Sequence, residues 1–232
     1  MKMQIPVQQK SKNRKAGFTI TDVMISLFIF NLAMMMVMGF YTTSLKTLFV
    51  SEQKNQINFD MRKISGEMSQ NGREADAFIL YRSFAEEDRS SDTQRLLDGQ
   101  AGDFLLLVYY SIDEKGGALN TQLIERVVGY YRWPSTVAPG ETALKKFDIT
   151  LDTPSDSAIE DLIPAVTGSA DHNTLVERSR GLMQLGDGVS EVDGAFFYNF
   201  WQRSVMVSGQ FMHGNDAKIV TDAYNLTITP RG

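Results

Sequence analysis

Two hydrophobic patterns divide the chain. From Val23 to Tyr41 there are 19 residues and no charge, with Ser26 and Asn31 the only markedly polar side chains. As a helix rising 1.5 Å per residue this run spans roughly 28 Å, close to the hydrocarbon core of a bilayer. Further on, Ile57, Met61, Ile64 and Met68 recur at intervals of four, three and four, which draws a single apolar stripe along a helix. Glu52, Lys54, Asn58, Asp60, Arg62, Lys63 and Glu67 occupy its other faces. No proline interrupts residues 7–133. The pattern therefore predicts one helix from about Thr19 to about Ala75, membrane-spanning at first and packed on a globular part later. Gly72 lies close to its expected end and is placed to help terminate it. Gly39 lies within the apolar run, where glycine weakens a helix by about 1 kcal/mol.

After about residue 80 the period changes from helical to strand-like. Asp103–Ile112 and Thr121–Trp133 are compact apolar runs rich in strand-favouring residues, and Gly116-Gly117 between them suggests a hairpin turn. Lys146–Leu151 alternates through Phe147, Ile149 and Leu151. Val192–Trp201, Ser204–Met212 and Tyr224–Thr229 are further strand candidates. Phe84–Gly102 is expected to be an exposed loop, with a short helix around Gln94–Leu97. Pro134–Glu141 and Thr153–Arg180 are expected to be loops with little regular structure. The resulting fold class is α+β: a long N-terminal helix, its first half transmembrane, packed on an antiparallel β-sheet domain. The expected organisation is 1–17 as a basic leader segment, 18–45 as the transmembrane helix, 46–80 as an amphipathic continuation of the helix, and 81–232 as the sheet domain.

Charge changes the picture at the N-terminus. Lys2, Lys10, Lys12, Arg14 and Lys15 stand before the apolar run with no acid among residues 1–17. The net charge of −5 thus hides a body with 18 basic and 28 acidic residues, −10 in all. Such a body is a poor ligand for nucleic acid, because affinity for phosphate backbones comes mainly from Lys and Arg. Basic residues before a span predict a cytoplasmic N-terminus, with the rest of the chain across the membrane. A secretory signal peptide has a shorter apolar region. A plain signal anchor leaves Asp22 unexplained, since a carboxylate within the apolar region costs on the order of 3 kcal/mol.

The run Lys15-Ala16-Gly17-Phe18-Thr19-Ile20-Thr21-Asp22-Val23 resembles the processing site of type IV prepilins and type II secretion pseudopilins. That pattern is a basic leader ending in Gly, then Phe, three residues, Glu and a long apolar helix. Gly17 matches the last leader residue, Phe18 the first mature one, and Asp22 stands where the family has Glu. The resemblance implies a pilin-like fold and cleavage between Gly17 and Phe18 by a prepilin peptidase, which also N-methylates Phe18. It implies an assembly role for Asp22, and at Gly39 a place where the helix loosens during assembly. A close helix–helix contact in the membrane explains Gly39 equally well. Implied partners are other pilins or pseudopilins, the peptidase and an inner-membrane assembly platform. The implied location is the bacterial inner membrane, single-pass with a periplasmic body, and then a pseudopilus or pilus. Leu185-Gly186-Asp187-Gly188-Val189 followed by Phe196-Phe197-Tyr198 also looks like minor pseudopilins of the J type, in which a turn leads into an aromatic strand.

Nothing in the sequence points to catalysis. There is no cysteine, and the two histidines, His172 and His213, sit in polar, loop-like stretches. No HExxH, GxSxG, Walker A or GxGxxG pattern occurs. The acidic run Glu86–Asp92 lacks the spacing of a calcium loop and is expected to be a solvated face. Asn225-Leu226-Thr227 matches a glycosylation sequon by chance frequency. The expectation is a structural subunit, not an enzyme, with no cofactor and no metal. The alternative is a membrane-anchored recognition module that binds secreted substrate, DNA or a surface through the sheet domain.

Overall fold

The computed structural model describes residues 19–112, 122–137, 140–165, 172–183, 194–215 and 218–231. Among the described residues one α-helix, α1 (Ile20–Glu74), is followed by nine strands. Residues up to Phe49 and residues from Val50 onward form two compact units. In the first unit no described residue is buried, and Val23, Phe28, Met35 and Phe40 stand free. This part of α1 is long and apolar enough to cross a membrane. A helix is the form such a segment must take there, because it satisfies its own backbone hydrogen bonds.

The second unit is the last part of α1 and an antiparallel sheet. Its strands are β1 (Ala77–Tyr81), β2 (Ala101–Gly102), β3 (Phe104–Ile112), β4 (Gln122–Pro134), β5 (Thr142–Ser155), β6 (Asn173–Gly181), β7 (Phe197–Phe200), β8 (Ser204–Asn215) and β9 (Lys218–Ile228). The order across the sheet is β1-β3-β4-β5-β6-β8-β7-β2, with β9 on the free side of β8. The ends of this path meet, since the Asp103 N–H donates to the Arg82 carbonyl at 2.9 Å, just beyond β2 and β1. The sheet is therefore nearly barrel-shaped.

The two sides of the sheet bury different clusters. Ile57, Ile64 and Met68 from α1 pack with Leu105, Leu107, Val128, Tyr130, Val176, Phe211, Tyr224 and Ile228. Phe104, Leu106 and Val108 point the other way and join Tyr81, Phe84, Val127, Tyr131, Phe147 and Ile163. Successive side chains on a strand face opposite ways, so a strand covered on both faces reads as an unbroken apolar run. That is why β3 is the plainest strand in the sequence. The hairpin of β3 and β4 pairs from Phe104↔Tyr131 to Ile112↔Gln122, and its Gly116-Gly117 turn lies outside the described residues.

Several expectations change. The segment Thr153–Arg180 is not wholly loop: β5 runs on to Ser155 and β6 begins at Asn173. β6 lacks clean alternation because its register to β5 shifts twice, so that Val176, Ser179 and Gly181 face inward. The buried Ser179 is satisfied by Thr142, whose hydroxyl donates to its carbonyl at 2.6 Å while the Ser179 hydroxyl donates to the Thr142 carbonyl at 3.1 Å. Phe84–Gly102 is not an open loop either. Phe84 is fully buried, stacked at 3.8 Å on Tyr131, and Arg89 is buried over the Phe84 ring. Two short 3₁₀ turns lie at Glu86–Asp88 and Asp92–Gln94, and none begins at the expected place. Gly72 does not terminate α1. It lets β9 approach, because a Cβ there would stand 1.9 Å from Ile228 Cγ2.

Candidate functional site

The candidate site is the start of α1. Thr19 is its N-cap, and Asp22 is the third residue of the helix. One Asp22 carboxylate oxygen, Oδ2, accepts from the Thr19 backbone N–H at 3.0 Å and from the Thr19 hydroxyl at 2.7 Å. In return the Asp22 N–H donates to Thr19 Oγ1 at 3.3 Å. This is the reciprocal arrangement of a capping box with Asp in the acidic position. It also places a negative charge at the positive end of the helix dipole. Ser26, one turn on, donates its hydroxyl to the Asp22 carbonyl at 2.7 Å and so leaves the carboxylate alone. Gly17 and Phe18 lie outside the described residues. Asp22 has a local partner in Thr19, which the sequence reading did not consider.

Gly39 is helical and open to its surroundings, with nothing within 4 Å of the Cβ it lacks. Its carbonyl accepts from the Thr42 hydroxyl at 3.0 Å and the Thr43 hydroxyl at 2.9 Å. Hydroxyls that bond back to the preceding turn weaken and bend helices slightly. The helix passes through Gly39 unbroken.

Within the second unit the helix is tied to the sheet by polar contacts as well as by its stripe. Asn71 Nδ2 donates to the Tyr130 hydroxyl at 2.6 Å, and the Tyr109 hydroxyl donates to the Asn71 carbonyl at 2.8 Å. Burial pushes the Tyr109 hydroxyl up to about 12, so it stays protonated and donates. Lys146 Nζ reaches Glu67 at 2.6 Å, and His213 Nε2 lies 2.7 Å from Asp60 Oδ2. His213 is thus a helix-to-sheet contact rather than a loop residue. His172 also proves structural: it packs edge-on to Phe84, Tyr131 and Phe147, with Nδ1 2.6 Å from the Tyr131 hydroxyl. Among the described residues no three histidines or carboxylates converge to hold a metal. The acidic run is spent locally, with Asp88 accepting from Ser83 and Asp92 from Ser91.

The segment Leu185–Val189 lies outside the described residues. The aromatic strand after it is β7, and beyond it stands a feature absent from the sequence reading. Val192–Trp201 was expected to be one strand, but Trp201 and Gln202 turn out of it with φ of 57° and 52°. The only signal was four aromatic residues in Phe197–Trp201 at the point where the pattern becomes polar. Set against known families, curated proteins and solved structures, the chain matches none of them.

Proposed function

We propose that this chain is a structural subunit of a membrane-anchored filament of the pilin or pseudopilin kind, processed at Gly17-Phe18 and assembled through α1. The observation that carries the reading is the division of labour along that helix. From Val23 to Tyr41 the helix is uncharged and buries nothing in its own chain, whereas Ile57, Ile64 and Met68 are core residues of a sheet domain. A lone span needs only to cross the bilayer, and its sequence can stop there. Here the same helix continues into a folded body, and its third residue is an acid. Unburied apolar faces of this length suit packing against like helices, first in lipid and then in a bundle. A subunit of this design needs no catalytic group, cofactor or metal.

The test is intact mass spectrometry of the membrane-extracted protein from cells with an active prepilin peptidase, together with shearing of those cells. The expected product begins at Phe18, carries one added methyl, and appears with other pilins in the sheared fraction. A chain that keeps residues 1–17 and stays wholly in the membrane pellet would overturn the reading. A second reading, a recognition module on a membrane anchor, is favoured by the exposed aromatic residues at the β7–β8 turn.

A further inference from the structure

The β7–β8 turn carries large apolar side chains where a turn ordinarily carries Gly, Asn or Asp. Trp201 is 68% exposed and Phe200 45%, their rings edge-to-face at 6.3 Å. Trp201 and Gln202 both have left-handed backbone, φ 57° and 52°. For bulky residues this conformation costs on the order of 1 kcal/mol or more each and persists only where neighbours enforce it. The neighbours are identifiable. Asp98 accepts from the Trp201 N–H, and Asn199 Oδ1 accepts from the Gln202 N–H at 3.0 Å. Asn199 is itself buried and held by the Leu96 carbonyl at 3.2 Å. The fold thus maintains a strained turn that displays an indole to solvent.

Beside the indole lies a cleft of about 600 Å³ lined by Phe200, Trp201, Arg203, Ser204 and Thr229. A smaller one, about 200 Å³, continues on the other side of Arg203 toward Asp76, Phe78 and Pro230. Arg203 lines both and has no ion pair among the described residues. Asp76, which lines the smaller cleft, accepts from the Tyr110 N–H at 2.8 Å and forms no ion pair with Arg203. The cleft therefore offers an aromatic wall, two hydroxyl-bearing residues and one uncompensated cation between two hollows.

We propose that this cleft binds an extended protein segment in which a carboxylate side chain neighbours an aromatic or branched apolar one. The carboxylate pairs with Arg203, and the apolar side chain packs on Trp201 and Phe200. Charge complementarity selects this occupant. Trp and Arg together are the residue types that dominate protein-binding hot spots. A saccharide is disfavoured because Asp98 and Asn199, the groups suited to sugar hydroxyls, are consumed in holding the turn. A nucleic acid is disfavoured because a single arginine in a chain of net charge −5 cannot neutralise a phosphate backbone. The site needs only the folded sheet domain, so it does not depend on filament assembly, and neither idea falls with the other.

The test uses the full chain in detergent micelles and a phage-displayed library of random peptides. Enriched peptides should pair Asp or Glu with Phe, Trp or Leu. A synthetic copy of the strongest, followed by fluorescence anisotropy, should bind about tenfold or more weakly to Trp201→Asn. Asparagine tolerates the left-handed backbone, so that variant should melt no lower than the natural protein. Arg203→Ala should weaken binding several-fold at low salt and less at high salt. No enrichment above empty micelles, enrichment of basic peptides, or equal binding by Trp201→Asn would each overturn the proposal. Self-association that is lost in Trp201→Asn, without peptide enrichment, would overturn it in favour of a second copy as occupant.

Discussion

Gly72 and Ile228 are in contact so close that no side chain fits between them. A Cβ on Gly72 would sit 1.9 Å from Ile228 Cγ2 and 3.4 Å from its Cβ. Ile228 is buried and branched at Cβ, so its methyl cannot swing aside without moving β9. Gly72→Ala should therefore lower stability by about 1–3 kcal/mol through overpacking, despite the better helix propensity of alanine. Gly66 is the internal control. It lies in the same helix with nothing within 4 Å, and Gly66→Ala should raise stability by up to about 1 kcal/mol. Thermal denaturation of the two variants in one detergent checks the opposite signs.

The buried pair Asn71 and Tyr130 predicts a loss of a different kind. Tyr130 is fully buried, and burial holds its hydroxyl neutral far above the usual range for tyrosine. Tyr130→Phe keeps the ring and leaves the Asn71 amide without its 2.6 Å acceptor. Stranding a buried polar group costs about 1–3 kcal/mol, more than the net worth of the bond itself. Hydrogen exchange should show the loss first in the last turns of α1, where Asn71 sits, and the melting temperature should fall.

Acid stability should depend on Glu160. Its Oε1 accepts from Arg95 Nη2 at 2.7 Å, from Arg95 Nε at 2.9 Å and from the Tyr81 hydroxyl at 2.8 Å. Burial alone would raise its carboxyl, but the Arg95 and Tyr81 hydrogen bonds outweigh that and hold it below the ordinary glutamate value of 4.5. A carboxylate depressed on folding contributes stability that is present above its unfolded pKa and is lost as pH falls through the folded one. Glu160→Gln should thus be less stable than the natural protein at neutral pH, and the difference should shrink below about pH 4. Melting temperatures across that range decide it. A difference that stays constant with pH would exclude the charge as its cause.

The long elements of this fold are legible in the sequence because each has an uninterrupted period. The helix is read almost to its end, since Ile57, Ile64 and Met68 keep one face and no proline intervenes. β3 is read because both of its faces are apolar, and β4 and β8 because apolar and aromatic residues are concentrated in them. What escapes is whatever depends on partners distant in the chain. β6 is polar and twice bulged, and only β5 and β8 tell Val176 and Ser179 which way to face. Phe84 sits in an acidic, serine-rich stretch, and its burial follows from Tyr131 and Phe147 on other strands. The Trp201 turn carries no glycine at either left-handed position, so local turn rules pass over it. At the candidate assembly site the spacing of Asp22 is plain, but its bond to Thr19 required the helix boundary itself to be located.

That bond separates two roles for Asp22 which alanine alone would confuse. As a cap, the side chain needs an oxygen that accepts from the Thr19 N–H and hydroxyl, 3.0 and 2.7 Å away. As an assembly residue in the proposed filament, it needs a negative charge to meet the freed amine of Phe18, in its own chain or in a neighbouring subunit. In a low-dielectric surrounding that charge would count for far more than in water. Asp22→Asn keeps the oxygen and removes the charge. If capping is the whole role, Asn should co-assemble nearly as well as the natural residue, because its amide oxygen can accept the same hydrogen bonds from Thr19 and only the attraction of a charge to the helix dipole is lost. If the charge fixes register between helices, Asn should fail to co-assemble as completely as Asp22→Ala, with leader removal largely intact in both. Asp22→Glu should function, since it keeps the charge and adds one methylene of reach. Cross-linking of membrane-extracted subunits with partner pilins, compared across the natural chain and these three variants, is the measurement. The expected order is Glu equal to Asp, with Asn and Ala both impaired. Full co-assembly by the Asn variant would leave Asp22 a helix cap and nothing more.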